Sequence, residues 1–349
     1  MTAALAGKGW QATLESLYPD HPLVRYGDHP FPIWAIPATP DDQTDLEAAL
    51  GTLNTSTQPS FDRYDVGFDA DGRPSQRGYD PNGAAEFAQH MGQIRSRSRH
   101  NGPAYAFDRL RTDGARMVLD ARPGTYFDSV ATSEVLEREL LDALAAHPDD
   151  RIPLAALPRR RWLHDRLARS GHDTTVITDG RFRAAALSVS AAMLMVRPDG
   201  GVDALLARRS VEVLTHPNLF HVAPSGLLAP PPGTPIPWRQ GFSVRRTILQ
   251  ELAEELPGHE GIDLNIRYCG ISVPLLTLRP EICLVILVRD PDALRRRTTF
   301  NWEYCGLHHL PLNSDLTPRD GAGIVHPTRL VPHAAAALHL ATTVARSLL

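Results

Sequence analysis

The second half of the chain contains short, mainly apolar segments that predict strands, with one switch to a helical period. The predicted strands cover 184–197, 202–209, 220–228, 266–276 and 282–289, the third being interrupted by Pro224, Ser225 and Gly226. Between the third and fourth strands, Val244, Ile248 and Leu252 recur at helical spacing. This apolar stripe predicts a helix over 243–256 that packs on the sheet. The Ala- and Leu-rich tail over 332–349 predicts a last helix.

The first half of the chain is less regular. Residues 104–111 and 115–121 alternate like two strands of a hairpin around a Thr-Asp-Gly turn. A helix is predicted over 133–146, with Ser133 as its N-cap. Another helix is predicted over 81–94, within a region rich in proline and glycine.

A change of composition divides these two halves. The stretch over 147–180 contains several prolines and an arginine triplet, and we interpret it as a connection. The sequence therefore predicts a separate α+β N-terminal domain of unknown role over 1–180, which ends in this linker. An α/β domain with a mixed sheet is predicted over 181–349. A length of 349 residues agrees with two domains.

Composition narrows the class of protein. Hydrophobic residues make up 42% and charged residues 22%, which is typical of a globular chain and disfavours disorder. The net charge is −4 and neither half is strongly basic, so nucleic acid is not the expected partner. We find no apolar run long enough to cross a bilayer and no secretory signal. Three widely separated cysteines favour reduced thiols and a cytoplasmic location.

The helix predicted over 243–256 contains the candidate metal-binding residues. Glu251, Glu254 and Glu255 lie at i, i+3 and i+4, so their carboxylates share one helix face and repel one another. A hard divalent cation such as Mg²⁺, which prefers oxygen ligands, would relieve this repulsion. An acidic, solvated helix face is the alternative interpretation of the same residues.

The surrounding segment resembles a known motif. Gly226, followed after a loop by Gln250-Glu251-Leu252-Ala253-Glu254-Glu255-Leu256-Pro257-Gly258, is similar to the Nudix box, and the strands around it follow a Nudix-like order. More narrowly, phrases such as Val222-Ala223-Pro224-Ser225-Gly226 resemble a group of actinobacterial two-part proteins with a Nudix-like C-terminal domain. The resemblance implies a Nudix-like α/β/α sandwich with a mixed sheet in the C-terminal half.

Three features depart from the Nudix box. Gln250 stands where the box has arginine, and Phe242 stands where it has an upstream glutamate. The segment between Gly226 and Gln250 is also longer than in the box, and the proline-rich insertion over 229–238 accounts for the excess. The three glutamates of the box helix are retained, while the arginine and the upstream glutamate that support them are lost.

The resemblance implies an Mg²⁺- or Mn²⁺-dependent hydrolase of a nucleoside diphosphate linked to another group, or of a similar diphosphate compound. Its partner would be a small anionic ligand. The sequence leaves open whether the chain forms a homodimer. The implied roles are metal binding by Glu251, Glu254 and Glu255, catalysis by Glu254 and Glu255, and substrate binding by Arg208 and Arg209. The candidate general bases are Glu255, Glu281 and Glu303; Arg245 and Arg246 are interpreted mainly as helix-surface charges.

Two alternatives stay open. One is a non-catalytic Nudix-fold module that binds a ligand or regulates a partner, and the other is a secondary-metabolism enzyme that reuses the fold. His308 and His309 are not expected to bind a metal together, because adjacent residues on a strand point to opposite faces. His216 and His221 are interpreted as packing or capping residues.

Overall fold

A computed structural model gives the fold. It describes residues 4–39, 102–113, 116–171, 174–213, 215–231, 241–259, 262–297 and 299–349. The helices are α1 (Gly9–Leu17), α2 (Tyr126–Ser129), α3 (Val135–Ala146), α4 (Pro158–Arg169), α5 (Val244–Glu255), α6 (Pro291–Arg297) and α7 (Pro332–Ala345). No helix among these residues has the length and apolar character needed to span a membrane.

Within the described ranges the strands are β1 (Arg25–Tyr26), β2 (His29–Pro30), β3 (Ile33–Pro37), β4 (Pro103–Asp113), β5 (Arg116–Thr125), β6 (Ser188–Val196), β7 (Val202–Arg209), β8 (Phe220–Val222), β9 (Ser225–Leu227), β10 (Leu264–Pro274), β11 (Glu281–Val288) and β12 (Tyr304–Pro311). The main sheet has the order β12-β7-β6-β11-β10-β3, with β8 attached to β7 and β9 attached to β6. Strands β6 and β11 are parallel, whereas the other described pairs of this sheet are antiparallel. The predicted α/β class with a mixed sheet is confirmed.

Each face of the sheet packs against a helix. On β11, Ile282, Leu284 and Ile286 belong to the core that contains the apolar stripe of α5. The alternate residues Cys283, Val285 and Leu287 belong to the core that contains α7. This alternation follows from the two-residue period of a strand, and it produces three layers, helix on sheet on helix.

Helix α5 forms where the sequence predicts it. Ser243 is the N-cap, and its hydroxyl oxygen accepts a hydrogen bond from the Arg246 N–H at 3.1 Å. Val244, Ile248 and Leu252 are each 0% exposed, so the predicted stripe faces the sheet. Burial of three aliphatic side chains stabilises the docked helix by roughly 1.5–3 kcal/mol for each of them. The helix that carries the carboxylates is therefore held rigidly.

The N-terminal half contributes to the same sheet and core. Strand β3 pairs with β10, with Ile36 opposite Ile271. The β4–β5 hairpin is joined to the segment before β6, where the Phe107 N–H donates to the Ala185 carbonyl at 2.7 Å. The division into two domains within 147–180 stays a prediction, and β3 crosses to the sheet of the C-terminal part.

Two predicted elements differ from those observed. The segment 220–228 forms two strands, β8 and β9, which pair with different neighbours because Pro224 between them has no N–H to donate. Ser133 is not an N-cap: it lies in a π-turn over Val130–Glu134 that continues from α2. The cap is Thr125, which forms a capping box with Asp128. The helix predicted over 81–94 lies outside the described residues.

Candidate active site

Three segments meet at the C-terminal half of α5. These are β9, the last turn of α5, and the residues that enter β12. Strand β9 supplies Ser225 and Gly226, and the last turn of α5 supplies Glu251, Glu254 and Glu255. The residues that enter β12 supply Glu303 and Tyr304.

Glu251 lies directly against the backbone of β9. A Cβ atom added to Gly226 would be only 2.0 Å from both Cδ and Oε1 of Glu251. Glycine at position 226 therefore provides the space that the Glu251 carboxyl occupies. Burial, followed by the charges of Glu254 and Glu303, raises the pKa of Glu251 to about 8.

Glu255 is the most buried of the three helix carboxylates, with an exposed fraction of 1%. Its Oε2 accepts a hydrogen bond from the Ser225 N–H at 2.9 Å, which ties the end of α5 to β9. Burial, followed by the charges of Glu251 and Glu303, raises the pKa of Glu255 well above its ordinary value. A buried carboxylate among like charges is strained electrostatically, and a cation would relieve that strain.

Glu254 is exposed, and its charge acts on both Glu251 and Glu303. Its Oε1 accepts a hydrogen bond from Nε2 of Gln250, one turn earlier, at 2.9 Å. Among the described residues, no three His, Cys, Asp or Glu side chains are placed to hold a metal ion together. Rotation of the exposed Glu254 side chain away from Gln250 would be needed to bring all three carboxylates to one ion.

Glu303 joins the site from the segment before β12. Its pKa is raised by burial and by the charge of Glu254, while the charge of Arg209 lowers it. Its charge in turn raises the pKa of Glu251 and Glu255. The structure thus brings one of the predicted general bases to the carboxylates of α5.

The two arginines of β7 are separated by the sheet. Every second residue of a strand lies on the same face. Arg209 therefore shares the face of Leu205 and Ala207, which pack in the α5 core, and this is the face of the carboxylates. Arg208 is exposed and, by the same alternation, lies on the opposite face. The Nε of Arg209 donates to the Thr215 carbonyl at 3.0 Å. The substrate-binding roles of the two arginines stay predictions, and strand alternation does not bring both side chains to one face.

Glu281 is not part of this site, which corrects its prediction as a general base. By alternation along β11 its side chain lies on the α7 face, where Oε2 is 2.7 Å from Nδ1 of His333 and accepts a hydrogen bond from the Ser188 hydroxyl at 2.9 Å. Burial favours its neutral form, but the nearby His333 prevails and lowers the pKa of Glu281 to about 2. Glu281 is a structural residue that contacts His333 and Ser188.

This pair predicts a dependence of stability on acid pH. Because the pKa of Glu281 falls from 4.5 to about 2 on folding, its ionised form stabilises the fold above pH 4.5. That contribution is lost as the pH falls from 4.5 towards 2. Urea unfolding at about pH 5 and about pH 3 should show a smaller acid-induced loss in Glu281→Gln than in the wild type. Equal losses in the two proteins would contradict this prediction.

Arg246 closes the loop that precedes α5. Its Nη2 donates to the carbonyl oxygens of Ala229, at 3.1 Å, and of Gly241, at the two ends of the segment that contains the insertion. The sequence predicted a helix-surface charge at Arg246. The structure shows instead that it supplies donors to that loop, while Gln250 bonds Glu254.

Two aromatic residues near the carboxylates were not predicted as site residues. Tyr304 is 3% exposed, and burial, followed by the charge of Glu255, raises its pKa well above the ordinary value. Tyr126 also has a raised pKa, caused by burial and by the charge of Glu134, and the charges of Arg209 and Glu303 act on it. No local sequence signal marks either residue, because both reach the site through long-range folding.

His308 and His221 contact neighbouring groups of the fold, and the packing or capping role predicted for His216 and His221 stays a prediction. His308 makes an edge-to-face contact with Phe220, with ring centroids 4.8 Å apart. His221 is 6% exposed, and its Nδ1 lies 2.7 Å from the Val222 carbonyl oxygen. Burial, followed by the charge of Arg209, lowers the pKa of His221 to about 3, so the ring is neutral near pH 7.

Comparison with known proteins finds similarity of structure alone. No protein-family model and no curated protein matches the chain. A Nudix hydrolase from M. smegmatis, RenU, is 13% identical over 47% of this chain and 88% of its own, with a TM-score of 0.30. An Ap4A hydrolase from C. elegans is 13% identical over 47% of this chain and 98% of its own, with a TM-score of 0.26. The NUDIX domain of Shewanella oneidensis NrtR, solved with ADP ribose, is 16% identical over 42% of this chain and 82% of its own, with a TM-score of 0.24.

Proposed function

We propose that the chain is a hydrolase of a diphosphate compound that depends on Mg²⁺ or Mn²⁺, its substrate being a nucleoside diphosphate linked to a second group. One observation carries the proposal. Glu251 and Glu255 meet at β9, against Gly226 and the Ser225 N–H. Burial raises the pKa values of Glu251, Glu255 and Glu303, and neighbouring carboxylates act in the same direction. These carboxyls therefore favour protonation, and a cation bound among them would replace the protons and hold the ionised carboxylates together.

The residues fit such a cation in their chemistry. The donors are carboxylate oxygens, which suit Mg²⁺ or Mn²⁺. Glu251 and Glu255 are held in place by β9, and the exposed Glu254 is free to rotate once its hydrogen bond to Gln250 opens. When bound, the cation would neutralise the diphosphate and lower the pKa of a water molecule.

The protein's own groups would complete the reaction. Arg209, on the same face of the sheet, offers a planar, permanently charged guanidinium for a diphosphate oxygen. Glu303 is half-buried with a raised pKa, which suits a general base acting near neutral pH. We assign the base to Glu303 rather than Glu255, because Glu255 is buried and already accepts the Ser225 N–H.

A ligand-binding module without turnover is the second candidate, and one observation favours it. Glu254 accepts a hydrogen bond from Gln250, and among the described residues no three His, Cys, Asp or Glu side chains form a metal-binding group. A module of this kind would bind the same diphosphate ligand through Arg209 and leave it intact.

Substitution of Gln250 separates these two candidates. In a hydrolase, Gln250→Arg is expected to keep or raise turnover, because an arginine brings the charge that the glutamine lacks. In a binding module the same change creates no turnover. The measurement is release of monophosphates from a panel of nucleoside diphosphate conjugates, with and without Mg²⁺. Gln11→Arg, on the exposed face of α1, is the matched control. Metal-independent release by the wild type would contradict the proposal.

A further inference from the structure

Exposed apolar side chains occur in the segments that supply the carboxylates and Arg209. Among the described residues, five large hydrophobic side chains are exposed: Val211, Leu249, Phe300, Trp302 and Leu349. The first four belong to segments that border the site, and only Leu349 lies at the end of the chain. Phe300 and Trp302, each 42% exposed, flank the segment that delivers Glu303. Aromatic rings left in water beside a polar site indicate a ligand with an apolar face.

Backbone hydrogen bonds fix the position of this segment. The Thr299 N–H donates to the carbonyl of Pro257, just beyond α5, at 3.2 Å. The Ser210 N–H, just beyond β7, donates to the carbonyl of Glu303 at 2.7 Å. Residues 299–303 therefore run from the end of α5 to the end of β7. Phe300 and Trp302 therefore lie within three residues of Glu303 in the sequence.

The form of the surface selects the kind of ligand. A hydrocarbon chain gains little unless it is enclosed, because its whole surface must leave water. A nucleobase gains from stacking one face on an aromatic ring, and its polar edge stays solvated. The partly exposed rings of Phe300 and Trp302 suit the base.

We propose that Trp302 and Phe300 form a stacking platform for the base of the nucleoside diphosphate. This inference rests on the proposed function for its choice of substrate. It adds that the nucleoside end of the substrate lies over residues 299–303, with the diphosphate directed to the carboxylates and Arg209. The platform determines affinity for the nucleoside and takes no part in bond cleavage.

The test uses two probes that differ only in the nucleoside, ADP and inorganic pyrophosphate, titrated by calorimetry with Mg²⁺ present. Trp302→Ala is expected to weaken ADP binding by about tenfold or more and to leave pyrophosphate binding unchanged. Trp302→Phe should retain most of the affinity for ADP, since it keeps a ring. Leu349→Ala, the exposed hydrophobic residue outside the site, should bind both probes like the wild type.

The outcomes separate this inference from the proposed function. ADP binding that depends on Trp302, in a protein without turnover on any substrate, would support the platform and refute the hydrolase. Turnover with equal affinity for ADP in the wild type and in both Trp302→Ala and Phe300→Ala would support the hydrolase and refute the platform. Equal weakening of ADP and pyrophosphate would also overturn it. Trp302-dependent binding of geranyl diphosphate, without such binding of ADP, would assign the surface to a hydrocarbon.

Discussion

Gly226→Ala is expected to reduce metal-dependent turnover by about a hundredfold while leaving the fold intact, because small displacements of a catalytic group cost rate steeply. The new Cβ would lie 2.0 Å from Cδ and Oε1 of Glu251. The Cγ of Glu251 would also be only 2.6 Å away, so the whole flexible side chain must rotate aside, while the backbone of β9 need not move. The free energy of unfolding should change by about 1 kcal/mol or less.

Gly321→Ala is the matched control. No atom lies within 4 Å of a Cβ added there, so the variant should match the wild type in both stability and turnover. Urea unfolding and a Mg²⁺-dependent hydrolysis assay on the three proteins test the prediction. A fully active Gly226→Ala protein would show that the position of Glu251 is irrelevant to the reaction. A Gly226→Ala protein that unfolds would show that the contact supports the fold instead.

Glu254→Gln is expected to lower turnover by about 10²-fold or more, the range seen when a group acting on the transition state is lost. The side chain is exposed, so the change should alter the free energy of unfolding by only about 0.5 kcal/mol. Loss of activity could then be assigned to loss of the carboxylate charge. Calorimetry or Mn²⁺ relaxation should show weaker metal binding, and weaker still in the double variant Glu254→Gln/Glu255→Gln.

Glu15→Gln provides the control for charge, since Glu15 is exposed on α1 and bonded only to Gln11 among the described contacts. It should bind Mn²⁺ like the wild type. Equal metal responses in the wild type and the double variant would show that these glutamates do not bind the metal. Robust turnover in Glu254→Gln would contradict the metal-dependent mechanism. Thermal shifts by ADP in both the wild type and Glu254→Gln, with no turnover by either protein, would favour the binding module.

The sequence by itself determined the features that depend on local periodicity. The stripe of Val244, Ile248 and Leu252 predicted helix α5 and its buried face, and the structure agrees. The same period placed Glu251, Glu254 and Glu255 on neighbouring turns. Strand β7 was predicted with the bounds observed, because its hydrophobic run ends sharply at a turn on one side and at charged residues on the other.

Tertiary structure decided which distant groups reach the α5 carboxylates. Glu281 and Glu303 were equal candidates in the sequence, but the parity of β11 directs Glu281 to His333, whereas Glu303 enters the site. The contact between Gly226 and Glu251 depends on where β9 attaches beside β6. Likewise, β3 joins the sheet by pairing with β10, far along the chain. Local spacing specifies the face of a helix or strand, but sheet order and register specify what that face meets.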